Sequence, residues 1–339
     1  MRRMQQLALV GLLIFWILLA CSHPIQQQFK SRERNYSIAP NIVTRKVKHA
    51  LGETVIPTYS QRVVILHPYL WEDAIALGVK PIGAPIRHSV SLVPHIFNPE
   101  VYKGTTDVGF LPTNLEKVLA LKPDLILGLD VIQKDIYPLL SQIAPTVMVH
   151  YKGEGEWKSY FMQVAEVLGK VESARLVLSN YYSRLQKFKT TIGARLAQIR
   201  LSVVGFEKGV CWLYAKQKDS FSYGILSEAS LIHTPSQNQN TKTVQHSIFP
   251  LKNYLISWEY IDKIDGDIIF VTTFAWRTQE QYQKELKRTH ATPLWFKLKA
   301  VQQGKVYQVG SYWFGASPLA ANLVIDDLFK YLLKNPQSL

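Results

Sequence analysis

The residues able to do chemistry in this chain stand just past its apolar, β-branched runs. Arg62-Val63-Val64-Ile65-Leu66 leads to His67, Tyr69 and Trp71, and Pro81-Ile82-Gly83-Ala84 leads to Arg87 and His88. Phe110 comes next, then Asp130 after Leu125-Ile126-Leu127-Gly128, and Tyr151 and Lys152 after Thr146-Val147-Met148-Val149. The second half offers Trp212 and Tyr214, Phe221 and Tyr223, Phe274, Trp276 and Arg277, then Tyr312, Trp313 and Phe314. In open α/β sheets ligands bind beyond the carboxyl ends of the strands. A dense aromatic set with a few cations is equipment for holding a ligand. Half or more of these aromatics are expected in the cores. Trp276-Arg277 and Tyr312-Trp313-Phe314 lie immediately past strands, in loops, where core burial is less expected.

Signatures of catalysis are mostly missing. The chain has no G-x-S-x-G elbow, no H-E-x-x-H helix and no Walker loop. Gly153-Glu154-Gly155 lacks the third glycine and the strand-to-helix context of a dinucleotide site. His67, His88 and His95 lack compact metal-ligand spacing, so they read as polar loop histidines. Cys211 reads as a small buried hydrophobe. Glu72 and Glu259 each fall in the first turn of an expected helix, where a carboxylate meets the helix dipole for about 0.3–1 kcal/mol.

The amino terminus sets the compartment. Arg2 and Arg3 precede an apolar run from Leu7 to Ala20, which is shorter than the roughly 20 residues needed to span a bilayer. A basic start, a short apolar stretch and a small residue before the cut make a secretory signal peptide over residues 1–20. Leu18-Leu19-Ala20-Cys21 resembles the bacterial lipobox, which makes Cys21 the lipidated first residue of the mature chain. Cys211 then has no disulfide partner. The net charge of +14 suits an anionic ligand or a lipid surface. Nucleic acid fits poorly with export, and the basic residues are scattered rather than clustered.

Polar, aperiodic sequence over 21–45 reads as a flexible tether. Strands alternate with helices over 46–155, which calls for a parallel sheet covered on both faces. Asn114-Leu115-Glu116 with Thr113 reads as a capping box opening the helix up to Leu121. Residues 156–198 contain no proline and keep helical spacing, with a break near Gly169-Lys170, and read as a strut. A second α/β pattern fills 199–334 and a tail ends at 339. The fold class expected is α/β, as two three-layer lobes joined by a single long helix.

Several segments together resemble one family. They are Lys48-His49-Ala50-Leu51-Gly52-Glu53-Thr54, Ala76-Leu77-Gly78-Val79-Lys80-Pro81-Ile82-Gly83, and the stretch from Asn114 through Leu121-Lys122-Pro123-Asp124-Leu125-Ile126. Ala300-Val301-Gln302-Gln303-Gly304-Lys305-Val306-Tyr307 and Ala321-Asn322-Leu323-Val324-Ile325-Asp326-Asp327-Leu328 follow in order. With Arg62 to Leu66 these resemble the substrate-binding proteins of iron-siderophore ABC importers, over nearly all of 46–334. The resemblance implies the class III periplasmic-binding-protein architecture, a ferric siderophore in the cleft between the lobes, and delivery to an ABC permease. It implies no enzyme activity and no cofactor, with iron held by the siderophore and by no protein ligand. Arg87, Trp71, Tyr151, Trp212, Trp276, Arg277 and Trp313 are the expected ligand contacts: aromatics cover the apolar arms, and Arg donates forked hydrogen bonds to metal-bound oxygens. Many aromatics with few cations lean towards a hydroxamate or citrate-hydroxamate. The family also places one carboxylate on each lobe to grip permease arginines, which implies that role for Glu72 and Glu259. A monomer is expected. Rival readings are haem or cobalamin, with His88 or Tyr151 reaching the metal, an anchored metal-dependent hydrolase, and a sensor lipoprotein with a closed cleft.

Overall fold

The structure, a computed structural model, describes residues 43–87, 99–207, 210–214, 220–236, 253–256, 258–272 and 279–333. Cys21, His88, His95, Trp276 and Arg277 lie outside the described residues. No described helix is long and apolar enough to cross a membrane.

The chain enters through an antiparallel hairpin, β1 (Thr44–His49) and β2 (Gly52–Pro57), paired from Thr44↔Pro57 to His49↔Gly52. Val47, Ile56 and Pro57 are buried, while Lys46, Lys48 and Val55 are exposed. Thr44 and Arg45, expected in the tether, therefore already belong to the folded part. The reason is electrostatic: the Arg45 guanidinium donates to the last carbonyls of the following lobe's helix, Glu166 at 2.6 Å and Val167 at 2.8 Å.

The first lobe is built on five parallel strands: β3 (Val63–Ile65), β4 (Gly83–Ala84), β5 (Thr106–Asp107), β6 (Leu125–Leu129) and β7 (Thr146–Val149). They are ordered β5-β4-β3-β6-β7, and β3, β6 and β7 are buried along their whole length. Burial on both faces is what continuous apolar runs such as Leu-Ile-Leu-Gly-Leu demand. Ile65, Leu127 and Val149 pack on one face with Trp157 and Phe161, while Val64, Ile126 and Met148 pack on the other with Val118 and Leu140. Helix Leu115–Ala120 is capped by Asn114, whose side chain accepts from the Lys117 N–H at 2.9 Å. Thr113 instead donates to the Phe110 carbonyl, so the cap sits one residue later than the box pattern suggests.

Two helices then carry the chain across, Trp157–Val167 and Val171–Ile192. They part at Gly169, whose φ of +67° closes the first helix with its N–H on the Glu166 carbonyl. The linking helix Val171–Ile192 ends in a 3₁₀ turn, Gly193–Gln198.

The second lobe has β8 (Arg200–Glu207), β9 (Val210–Tyr214), β10 (Ile232–His233), β11 (Asn253–Ile256), β12 (Ile268–Val271) and β13 (Val306–Gln308). The order is β11-β9-β8-β12-β13, with β10 beside β8. Strands β8, β10, β12 and β13 are parallel, β9 runs against them, and β11, antiparallel to β9, returns to their direction. Ser317 caps the C-terminal helix Pro318–Leu332, accepting from the Ala320 N–H at 3.2 Å. A single apolar core runs from Trp71 in the first lobe through Tyr181 of the linking helix to Phe270 and Leu328 in the second.

Candidate binding cleft

The carboxyl ends of the first lobe's strands converge on a group of rings. His67 follows β3, caps the helix Pro68–Ala76 and accepts from the Tyr69 N–H at 3.2 Å. Its ring meets Tyr69 edge-on at 4.9 Å and Phe110 at 5.1 Å. The Tyr69 hydroxyl donates to the Phe314 carbonyl at 3.3 Å, a contact from the first lobe to the second. After β7, Tyr151 stacks on Tyr160 at 5.6 Å and its hydroxyl bonds to Glu154. Burial first, and the Glu154 carboxylate second, push the phenols of Tyr69 and Tyr151 well above their ordinary value. Both remain neutral at physiological pH, each spending its single proton in this state on the Phe314 carbonyl or the Glu154 carboxylate.

Arg87 follows β4 with 92% of its side chain exposed, and its Nε lies 3.4 Å from the carboxylate of Asp107, the last residue of β5. It is a guanidinium held loosely at the rim. Asp130, at the end of β6, accepts from the N–H groups of Val131 at 2.8 Å and Tyr151 at 2.9 Å. Its other oxygen takes His150 Nδ1 at 2.5 Å.

Three expected site residues belong elsewhere. Trp71 is fully buried in the core, because it lies on the inner face of the helix Pro68–Ala76 with Leu70 and Ala74. Trp313 is also buried. Its Nε1–H donates to Asp327 at 2.8 Å beside the Tyr312 hydroxyl at 2.7 Å, and its ring packs 4.7 Å from Phe270. Neither indole can meet a ligand in this state; the turn after β13 directs Trp313 onto the C-terminal helix. Glu72 is the third. It is fully buried, accepts a hydrogen bond from Ser317 Oγ across the two lobes, and cannot reach a permease. Burial pushes its carboxyl up to about 7, opposed by the Ser317 hydrogen bond, and burial also pushes up the adjacent Asp73.

Tyr151 stays half-buried at the strand ends, and Glu259 is exposed in the first turn of Trp258–Ile264. Trp212 lies in β9. An exposed first-turn carboxylate does exist on the first lobe: Glu116, in the helix Leu115–Ala120. Glu116 and Glu259 precede the central strands β6 and β12 at the same distance in sequence, a signal available before folding. His150 was the other omission, although it directly follows β7.

Behind the rings, the linking helix is tied to both lobes. The Lys158 ammonium pairs with Glu228 and sits over Tyr182 at 4.7 Å, and Tyr181 donates to the same carboxylate at 2.7 Å. Arg184 bonds Asn322 and Asp326 of the C-terminal helix.

Two α/β sheets bridged by one long helix define a ligand-capture fold, and the comparisons agree. A sequence model described as periplasmic binding protein matches residues 63–312, and the chain belongs to that family. A probable siderophore-binding lipoprotein of Bacillus subtilis, YfiY, is 30% identical over 98% of this chain and 99% of its own. The ferric-anguibactin-binding protein FatB of Vibrio anguillarum is 29% identical over 84% of this chain and 86% of its own. The crystal structure of Staphylococcus aureus SirA complexed with staphyloferrin B matches with a TM-score of 0.68 and 25% identity, over 85% of this chain and 98% of that one. The resemblance seen in the sequence segments is thus borne out, as is the α/β fold of two sheets and a long helix. The chain is a substrate-binding protein of the kind that serves ABC importers.

Proposed function

We propose that this chain captures a ferric siderophore between its strand ends and delivers it to an ABC permease while tethered by a lipid on Cys21. The observation that carries the reading is the ring set at the strand ends, with the Tyr69 hydroxyl on the Phe314 carbonyl and Tyr151 stacked on Tyr160, together with an almost wholly exposed Arg87. Neutral phenols and a forked guanidinium suit the oxygens of a metal chelate, and the rings suit its apolar arms. Few cations beside many rings favour a hydroxamate or citrate-hydroxamate. The relatives' siderophore-binding names support the substrate class. With Glu72 buried, the carboxylates that grip the permease are Glu116 and Glu259, both exposed in first turns. Iron uptake from a ferric trihydroxamate, compared in cells with and without this chain, tests the proposal. Uptake that depends on the chain is expected; equal uptake in both overturns delivery.

A further inference from the structure

Asp130 and His150 form a dyad that the reading above does not use. They end neighbouring strands, with Leu129 paired to Val149. One oxygen of Asp130 is fixed by two backbone N–H groups, from Val131 and Tyr151, so the carboxylate cannot swing. The other holds His150 Nδ1 at 2.5 Å. Asp130 is 13% exposed and His150 is 53% exposed, so the pair is anchored at one end and open at the other. Nδ1 must carry the proton it gives to the carboxylate. In the neutral imidazole Nε2 then keeps a lone pair, and among the described residues it has no partner. His150 also directly follows β7, at the carboxyl end of a strand, where ligands bind in open α/β sheets.

A histidine that donates one ring N–H to a carboxylate and presents the other nitrogen outward is the arrangement found where imidazole binds a metal. Among the described residues no cluster of three or more such side chains exists to hold a metal by itself. A single nitrogen donor is useful when the metal arrives already chelated. Imidazole is a competent ligand for iron.

We infer that His150, positioned by Asp130, donates Nε2 to the iron of a ferric chelate whose chelator leaves coordination positions open. The inference rests on the ferric-siderophore reading and deepens it, adding one protein donor where the sequence left iron wholly to the siderophore. The cargo class is then ferric complexes of tetradentate chelators, in which an imidazole replaces a bound water. A hexadentate chelator fills all six positions and gains nothing from His150.

The full chain and its His150→Ala variant are titrated with the ferric complexes of a tetradentate dihydroxamate and a hexadentate trihydroxamate, following the visible charge-transfer band. The expected result is a loss of roughly tenfold or more for the dihydroxamate in His150→Ala and less than about twofold for the trihydroxamate, judged against the scale of histidine second-shell effects. The dihydroxamate band shifts on binding to the wild type and not to the variant. Asp130→Asn, which keeps an acceptor for the backbone N–H groups, falls between the two. Equal losses for both chelates, or an unshifted band, make His150 an ordinary polar contact and overturn the inference. Unchanged affinity for both removes it from the site and does the same. Wild-type binding of neither chelate defeats the ferric-siderophore reading itself, a separable outcome. Wild-type strength in Asp130→Asn overturns the positioning role of Asp130.

Discussion

Individual residues show how position in sequence and direction in space diverge. Glu72 looked like a surface carboxylate because it stands in a first helical turn, yet that turn faces the other lobe. Its folded value of about 7 stands above the ordinary 4.5. The protonated form is the one that suits the fold, so its contribution is complete below about pH 4.5 and is lost as pH rises through about 7. Full ionisation costs on the order of 3 kcal/mol. Glu72→Gln should therefore gain in melting temperature relative to the wild type between pH 5 and pH 8. The charge of Glu72 also raises the neighbouring Asp73, so part of the gain belongs to the pair. A gap independent of pH would show that Glu72 does not titrate in that range. Asp327 makes a second residue-scale test. It takes two buried donors, Tyr312 and Trp313, and Asp327→Ala removes this acceptor from both. Urea unfolding should show a loss of about 2–6 kcal/mol, from two buried donors deprived of an acceptor at about 1–3 each. A loss below about 1 kcal/mol would mean that water reaches those donors.

Elements were far more legible than side-chain directions. The buried strands β3, β6, β7 and β12 announce themselves as unbroken apolar runs, because a sheet covered on both faces has no polar side to alternate with. The pause between the two crossing helices was legible too, since Gly169 permits a φ of +67° that other residues resist. A Cβ at Gly169 would meet only the Thr58 carbonyl, at an ordinary 3.7 Å. Gly169→Ala should thus cost about 1 kcal/mol from backbone conformation alone, and Gly169→Asn less, by urea unfolding. Equal costs for the two would point to packing instead. The hairpin strand β1 escaped notice because Thr-Arg-Lys-Val-Lys-His is mostly polar and earns its place through one buried valine and the Arg45 contacts. Trp71 and Trp313 were misplaced for a related reason. Lying past a strand fixes a residue's height in the lobe, while the partner that buries it comes from elsewhere in the chain, such as Asp327 for Trp313.

At the scale of the whole molecule, two lobes share one continuous core and are tied through the linking helix by Lys158, Tyr181 and Arg184. That organisation was legible as lobe, strut, lobe, because periodicity changes character along the chain. Which carboxylates face outward was not, because it depends on how the lobes meet. If Glu116 and Glu259 grip the permease, changing both to Ala should abolish iron uptake and leave ligand affinity nearly unchanged. Loss of helix-dipole interactions alone would cost only tenths of a kcal/mol and leave transport running. Cys21→Ser should release the protein from membranes with binding intact. The most direct test of the central claim is an intrinsic fluorescence titration of the purified full chain with a ferric trihydroxamate, its iron-free form and haem. The rings at the strand ends predict saturable quenching by the ferric chelate, weaker by the iron-free form, with no Soret band retained after haem is removed by gel filtration. Tight haem retention without a response to ferric chelates would contradict it.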